Sequence, residues 1–275
     1  MIGTLQPGIK TGVIEHEEEG VYRTSGALSN SALSDFLLCE RLFQRKHIQG
    51  TFVQGRYQPF VVGQAFHCRV LESETFSSRY AIRPAEVDGR TKDGKAWLAE
   101  NTGKTILTKD EGDTLAHMCD AVMENDEARS LVEDVGQNEL TIRLQMEQWK
   151  LPVQCRLDAW RPRRDMIVDL KTTADLSAWP RELMKYGYHR QACLYGHLTG
   201  LAFMREPPRF VFVVVQKSEP FCVGLFRLSD EWLARAWQEV DSGMKRIRAC
   251  LDSNSFRRDE PGVRVIEMSE YGRAV

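Results

Sequence analysis

Three consecutive strand-like segments in the middle of the chain constrain its fold more than any other feature. They read ELTIRLQM (139–146), LPVQCRLDAW (151–160) and MIVDLKTT (166–173), and the first two have the spacing of a β-hairpin. The third segment carries Asp169 and Lys171 where a buried strand would be apolar. Because side chains two apart in a strand lie on one face, this carboxylate and this ammonium point to the same place.

The segments on both sides predict helices and further strands. One predicted helix is capped by Ser29 or Ser31 and runs to about residue 46. Other predicted helices cover 58–73, 109–124, 176–200 and 229–251. The segments RFVFVVVQK and FCVGLFRL are predicted strands. Thr108 and Glu111 form a candidate capping box for the 109–124 helix. This order predicts an α/β fold with a central mixed sheet, as one domain over 1–275. Residues 1–27 and 252–275 are candidate flexible arms.

Composition excludes several classes of protein. No apolar run approaches the roughly 20 residues of a membrane helix, and the N-terminus lacks a signal-peptide pattern, so we expect a cytoplasmic protein without a membrane partner. The 7 cysteines are scattered without a C-x-x-C pair, which indicates neither a zinc ribbon nor a disulfide framework. With a net charge of −2, a nucleic-acid partner would need a local basic groove.

Asp158 gives the charged strand a chemical interpretation. It lies near the end of the preceding predicted strand, so its carboxylate and that of Asp169 converge if the two strands are neighbours. Carboxylates this close repel unless a cation lies between them, and hard oxygen ligands suit Mg²⁺ or Mn²⁺. Lys171 could then orient a water or stabilise charge developing on a phosphate. The alternative is an ordinary ion pair between Asp169 and Lys171.

Five motifs, taken in order, resemble those of RecB-type PD-(D/E)XK nucleases. They are GQAFH (63–67), Glu139, CRLD (155–158), DLK (169–171) and QACLY (191–195). The stretches LSNSALSDF, RTKDGKAW, DLKTTADL and YGYHRQACLY are similar to the nuclease domain of phage and prophage exonuclease VIII (RecE). The resemblance covers roughly residues 20–200, with Cys155 where the family often has glycine.

The resemblance implies a restriction-endonuclease-like fold and a set of site residues. His67, Asp158, Asp169 and the backbone carbonyl of Leu170 would bind the metal, and Lys171 would be the catalytic lysine. The catalytic set would also contain Glu139, near a second metal or a water, and Gln191 and Tyr195, which share one helix face. Taken alone, His67 could be a core histidine, and Gln191 and Tyr195 could be packing residues.

The resemblance also implies an activity and partners. It implies a metal-dependent exodeoxyribonuclease that degrades linear double-stranded DNA from 5′ ends and leaves 3′ single-stranded tails for recombination. A ring-shaped homo-oligomer, a tetramer, and a single-strand annealing protein as partner follow from the same resemblance, in a bacterial or phage-infected cell. The alternatives are a structure-specific or restriction-type endonuclease of the same fold, and a non-catalytic DNA-binding recombination accessory protein.

Two basic clusters are candidates for contacts with DNA phosphates. They are Arg90, Lys92 and Lys95 in the GRTKDGK turn, and Arg161, Arg163 and Arg164 just after Asp158; the alternative for each cluster is a solvated surface turn.

Neither a nucleotide nor an iron–sulfur cluster is expected as a cofactor. TGKT (102–105) is not a P-loop, because Leu98 stands where that motif requires glycine. Only Cys222 and Cys250 lie beyond QACLY, whereas the iron–sulfur relatives of these nucleases use a group of four cysteines.

Overall fold

The structure is a computed structural model that describes residues 2–52 and 58–257, without the side chains of residues 58–60. The strands are β1 Gly12–Ile14, β2 Tyr80–Ile82, β3 Thr105–Leu107, β4 Gln137–Met146, β5 Leu151–Arg161, β6 Met166–Thr173, β7 Arg209–Gln216 and β8 Val223–Phe226. The helices are α1 Glu19–Thr24, α2 Asn30–Leu38, α3 Glu40–Phe43, α4 Gln58–Leu71, α5 Ser73–Arg79, α6 Lys92–Glu100, α7 Lys109–Glu124, α8 Asp126–Val132, α9 Trp179–Lys185, α10 Tyr188–Ala202 and α11 Asp230–Ser253. A π-helical turn at Gln44–Ile48 follows α3, and short 3₁₀ turns lie at Pro162–Arg164 and Leu176–Ala178.

Six strands form the central sheet in the order β1-β4-β5-β6-β7-β8. Strands β6 and β7 are parallel, and the other neighbours are antiparallel, so the predicted central mixed sheet is confirmed. Parallel strands need a long crossover, which α9 and α10 provide between β6 and β7. Strands β2 and β3 pair separately in parallel.

Helices cover both faces of this sheet. On one face, α2, α10 and α11 pack through residues such as Leu33, Leu194 and Val240. On the other face, α4, α7 and α8 pack through Phe66 and Met118 among others. The strands β6 and β7 are buried on both faces, which explains their nearly continuous apolar sequences.

The helix predicted over 176–200 is divided into α9 and α10. Gly187 has a φ of 70°, in the left-handed region that glycine tolerates best, and it ends the continuity of the helix. A Cβ atom at this position would lie 2.9 Å from Ser34 Oγ, so the turn also packs closely against α2. The capping box of Thr108 and Glu111 is confirmed at the start of α7.

The N-terminal segment is part of the described fold, which corrects the expectation of a flexible arm over 1–27. Strand β1 pairs with β4, and Glu17 forms a buried ion pair with Arg143 at 2.9 Å. This contact gives the acidic EHEEE stretch a fixed position beside the sheet. Of the other candidate arm, 252–275, residues 252 and 253 belong to α11, and residues 258–275 lie outside the described residues.

Within the described residues, no helix has the length and apolar character needed to cross a membrane.

Candidate active site

The candidate site lies where two central strands separate. Strand β5 pairs with β6 only over residues 159–161 and 166–168. Beyond this point the Asp158 carboxylate accepts a hydrogen bond from the Leu170 backbone N–H at 2.9 Å. Asp158 therefore satisfies a backbone donor that the neighbouring strand leaves free, and this bond fixes the carboxylate at the fork between the strands.

Glu139 lies opposite Asp158 in the β4–β5 register, between two regular pairs of residues. Its φ of 53° is in the left-handed region, which costs a non-glycine residue about 1–3 kcal/mol. The alternation of side chains also changes here, because Leu157 and Ala159 belong to the cores on opposite faces of the sheet. Backbone strain of this kind persists where the surrounding contacts enforce it, and it is common at functional sites. The strain at Glu139 therefore distinguishes Glu139 and Asp158 from the regular strand around them.

His67 reaches the fork from α4. Its Nδ1 atom lies 3.3 Å from Asp158 Oδ2, and the imidazole keeps 28% of its surface exposed. Removal from bulk water and the positive charge of Lys171 lower the pKa of His67 to about 4. The imidazole is therefore neutral near pH 7, the form that can donate a nitrogen lone pair to a metal.

Asp169 and Lys171 lie together on the opposite side of the fork. The Lys171 ammonium donates to Asp169 Oδ2, and Gln191 Nε2 on α10 donates to Asp169 Oδ1 at 2.6 Å. The Lys171 Nζ atom is also 3.4 Å from the Leu170 carbonyl oxygen and 5.0 Å from the centroid of the Tyr188 ring. These contacts fix the orientation of the carboxylate and the ammonium.

The site has unusual electrostatics for carboxylates. Burial raises the pKa of Asp158, and burial raises the pKa of Asp169 to about 6, where Lys171 favours ionisation and Asp158 opposes it. Burial, together with the charges of Asp158 and Glu72, raises the pKa of Glu139 to about 8. Burial disfavours the Lys171 ammonium, but Asp169 and Asp158 outweigh it and raise its pKa. These carboxyl groups therefore keep their protons to higher pH than usual, and an additional cation would favour their ionised forms.

The donor chemistry of this group fits a hard divalent cation. His67 supplies a neutral nitrogen, Asp158 and Asp169 supply carboxylate oxygens, and Leu170 supplies a carbonyl between them. In the part of the chain that the structure describes, no group of three or more His, Cys, Asp or Glu side chains is arranged closely enough to hold an ion. Asp169 accepts hydrogen bonds from Lys171 and Gln191.

An open cleft of about 2310 Å³ leads to the fork. Its walls include His67, Glu139, Asp158, Lys171 and Tyr195. Small-molecule pockets are typically about 300–1,000 Å³, so this cleft has room for part of a macromolecule. Tyr195 lies four residues after Gln191 on α10, and burial raises the pKa of its hydroxyl well above the ordinary value.

The two predicted basic clusters do not line the cleft. Arg161 is 1% exposed and donates hydrogen bonds to the carbonyl oxygens of Leu131 and Val132, so its prediction as a DNA contact is wrong. The guanidinium has a structural role because its donors are used by buried acceptors.

The remaining members of these clusters lie at the surface. Arg164 pairs with Asp134 at 2.8 Å and Arg90 pairs with Asp88 at 2.7 Å, so both charges are partly neutralised. Arg163, Lys92 and Lys95 are exposed. Their contact with DNA stays a prediction.

Sequence reasoning did not single out Tyr188 and Arg156. Tyr188 lies three residues before Gln191 on α10, so the two side chains are on the same helix face. This spacing could have predicted that Tyr188, like Gln191, lies near the Asp169 and Lys171 pair. Arg156 lines the cleft and donates to the Glu17 carbonyl oxygen at 3.0 Å, with its guanidinium 4.4 Å from the centroid of the Tyr22 ring. The partners of Arg156 come from the N-terminal segment, so no local sequence pattern predicts them.

Comparisons with known proteins agree with the fold. The model of the family described as "PDDEXK-like domain of unknown function (DUF3799)" matches residues 29–259. A crystal structure from Eubacterium rectale, of a protein named "Putative exonuclease", is similar with a TM-score of 0.65 and 13% sequence identity. The similarity covers 94% of this chain and 97% of the other, and at this identity it shows a shared fold. A search of curated proteins found no match.

Proposed function

Because the chain belongs to the PDDEXK-like domain family, we propose that it is a metal-dependent exodeoxyribonuclease acting on the ends of linear double-stranded DNA. One observation carries the proposal. His67, Asp158, Leu170, Asp169 and Lys171, which come from three separate motifs of the chain, meet at one fork of the sheet beside an open cleft. Metal-assisted hydrolysis of a phosphodiester uses donors and a cation of these kinds, which supports the proposal.

The residues of the chain have distinct roles in this proposal. His67, Asp158, Asp169 and the Leu170 carbonyl would hold Mg²⁺ or Mn²⁺, an ion that would supply Lewis-acid polarisation of the phosphate and a water with a lowered pKa. The Lys171 ammonium, positioned by Asp169, stabilises negative charge that develops on the scissile phosphate. Gln191 keeps Asp169 in place, and Glu139, opposite Asp158 in the β4–β5 register, would contact a water or a second ion there.

The direction of digestion and the partners rest on the resemblance to the exonuclease VIII nuclease domain. We propose 5′→3′ digestion that leaves 3′ single-stranded tails for recombination, by a ring-shaped homo-oligomer, a tetramer, that works with a single-strand annealing protein in the cytoplasm. A closed ring suits this activity physically, because it keeps the enzyme on one DNA strand during successive cleavages.

One assay tests the reaction class. Linear and covalently closed duplex DNA are incubated with the protein in Mg²⁺ or EDTA, with each strand of the linear duplex labelled in turn at its 5′ end. We expect Mg²⁺-dependent loss of linear DNA from 5′ ends, intact circles, and no cleavage by Lys171→Ala. Lys245→Ala, which removes an exposed cation of α11 outside the cleft, is the control and should stay active.

Each other outcome has a defined meaning. Cleavage of closed circles would replace the exonuclease with an endonuclease of the same fold. Cleavage that persists in Lys171→Ala, or in EDTA, would contradict the proposed site. Binding of DNA ends without any cleavage by the unmodified protein would favour a recombination accessory protein.

A further inference from the structure

The TGKT segment at 102–105 lies at the junction of two cavities. Gly103, with a φ of 87°, forms a turn that leads into β3. Lys104 and Thr105 line a groove of about 510 Å³, together with Arg83 and Gln64. Gly103, Thr105 and Gln64 also line the large active-site cleft. The groove is therefore an extension of the cleft, starting from the helix α4 that carries His67.

The groove contains positive charge that is available to a ligand. The side chains of Arg83 and Lys104 are partly exposed, and neither forms an ion pair within 4.0 Å in the described ranges 2–52 and 58–257. The nearby Asp88 is bound by Arg90 at 2.7 Å and also interacts electrostatically with Arg83. Hydroxyl groups of Thr105 and Thr108 and the amide of Gln64 complete the polar lining. Arginine, lysine, hydroxyl and amide groups are those that contact phosphate oxygens in protein–DNA complexes.

The charge of the cleft wall restricts where a polyanion can lie. The N-terminal segment contributes Glu15, Glu17, Glu18 and Glu19 to this wall. Glu17 is neutralised by Arg143 and Glu19 by Arg23, but Glu18 is exposed at the surface. A phosphate backbone passing this acidic segment is repelled, whereas the groove offers two cations.

We infer that this groove binds the sugar–phosphate backbone of the DNA whose end occupies the active-site cleft. The inference rests on the proposed nuclease function and adds a binding site to it. Arg83 and Lys104 contact phosphates, and Gln64, Thr105 and Thr108 complete the path between the groove and the fork. The lysine of TGKT thus binds phosphates of a nucleic-acid chain and not those of a nucleotide.

Equilibrium binding of a fluorescein-labelled 20-base-pair duplex tests this site. Binding is measured in Mg²⁺ on the Lys171→Ala background, which prevents cleavage, over a series of salt concentrations. Each phosphate contact contributes about 0.9 to the slope of log affinity against log salt. Arg83→Ala with Lys104→Ala should therefore lower the slope by about 2 and weaken binding at least about tenfold at 0.1 M salt.

Matched variants keep the test specific. Arg235→Ala with Lys245→Ala removes two cations from α11, outside the groove and cleft, and should leave affinity and slope unchanged. Lys104→Gln alone, a smaller change, should lower the slope by about 1. In the active protein the double groove variant should raise KM for linear duplex and leave kcat unchanged.

The results separate the two proposals. The groove proposal would be overturned if the Arg83→Ala, Lys104→Ala protein had the same affinity and salt slope as the α11 control. Cleavage by the unmodified protein would still support the nuclease proposal. A loss in kcat without a change in KM or slope would also overturn it. Failure of the unmodified protein to bind or cleave DNA would instead reject the nuclease proposal itself.

Discussion

Gln191 and Asp169, on different elements of the fold, are joined by a buried hydrogen bond of 2.6 Å from Nε2 to Oδ1. Lys171 donates to the other carboxylate oxygen. The two bonds together prevent rotation of the Asp169 carboxylate, so α10 controls the geometry of a group on β6. Positioning partners of this kind typically change metal affinity or activity about 10–100-fold when they are removed.

Gln191→Met tests this control directly. Methionine keeps the length of the side chain and removes the donor, so Asp169 gains rotational freedom. We expect the Mg²⁺ concentration for half-maximal cleavage to rise about 10–100-fold with little change in thermal stability. Leu201→Met, at an exposed position of the same helix, is the control. An unchanged Mg²⁺ titration would show that this hydrogen bond does not position Asp169.

Addition of Mg²⁺ should stabilise the folded protein. A ligand that binds only the folded state adds about 2.7 kcal/mol when its concentration is 100 times its Kd. We expect thermal unfolding to move to higher temperature with Mg²⁺ and to return after EDTA treatment. Asp158→Asn should remove this dependence because it removes a charged ligand, whereas Asp241→Asn on α11 should keep it. Equal stabilisation of all three proteins would place the ion elsewhere.

The buried pair of Glu17 and Arg143 should hold the N-terminal segment on the sheet. Their side chains are 6% and 0% exposed. Glu17→Leu leaves Arg143 buried without its partner, and breaking a buried pair typically costs about 3–5 kcal/mol. Urea unfolding should show this loss, and adding Arg143→Met should recover part of it. Glu19→Gln, in an exposed pair with Arg23, should change the free energy of unfolding by less than about 0.5 kcal/mol.

Substitutions of Arg161 and Arg163 should distinguish an arginine that stabilises the fold from an arginine at the surface. Arg161→Met removes donors from the carbonyls of Leu131 and Val132 and from Asn138, and each unsatisfied buried group costs about 1–3 kcal/mol. We therefore expect a loss of about 3 kcal/mol or more in urea unfolding. Arg163→Met should stay within about 0.5 kcal/mol of the unmodified protein. Similar stability of the two variants would contradict the structural role of Arg161.

Ionisation of Asp35 should make the free energy of unfolding depend on pH in the acid range. Burial opposes its ionised form, but hydrogen bonds from His47 and Lys46, at 2.6 and 2.8 Å, outweigh it and lower the pKa below 3.8. The ionised group therefore stabilises the fold above pH 3.8, and this contribution is lost as pH falls through the lower pKa of the folded state. Asp35→Asn should be less stable than the unmodified protein at pH 7, and the difference should shrink as pH falls below 3.8. A constant difference across that range would contradict this linkage.

Local sequence patterns predicted most of the regular structure. Alternating apolar residues identified β4 and β5, an apolar run interrupted by Asp169 and Lys171 identified β6, and Thr108 with Glu111 identified the start of α7. The helix predicted over 229–251 is α11, and its Leu233, Val240 and Ile247 pack on the core. Periodicity and capping act over a few residues, so they can be read along the chain without knowledge of the fold. Strand β1 was missed because three residues are too few to show a period.

The sequence by itself determined the strands on which Asp158, Asp169 and Lys171 lie, and the order of the motifs around them predicted the site. Only the tertiary structure decided how they meet: β5 and β6 separate at Asp158, His67 arrives from α4 on one face, and Gln191 arrives from α10 on the other. It also decided that Arg161 is buried. These outcomes depend on partners far apart in the chain, because the burial of a charge is tolerated only where packing supplies its hydrogen-bond acceptors.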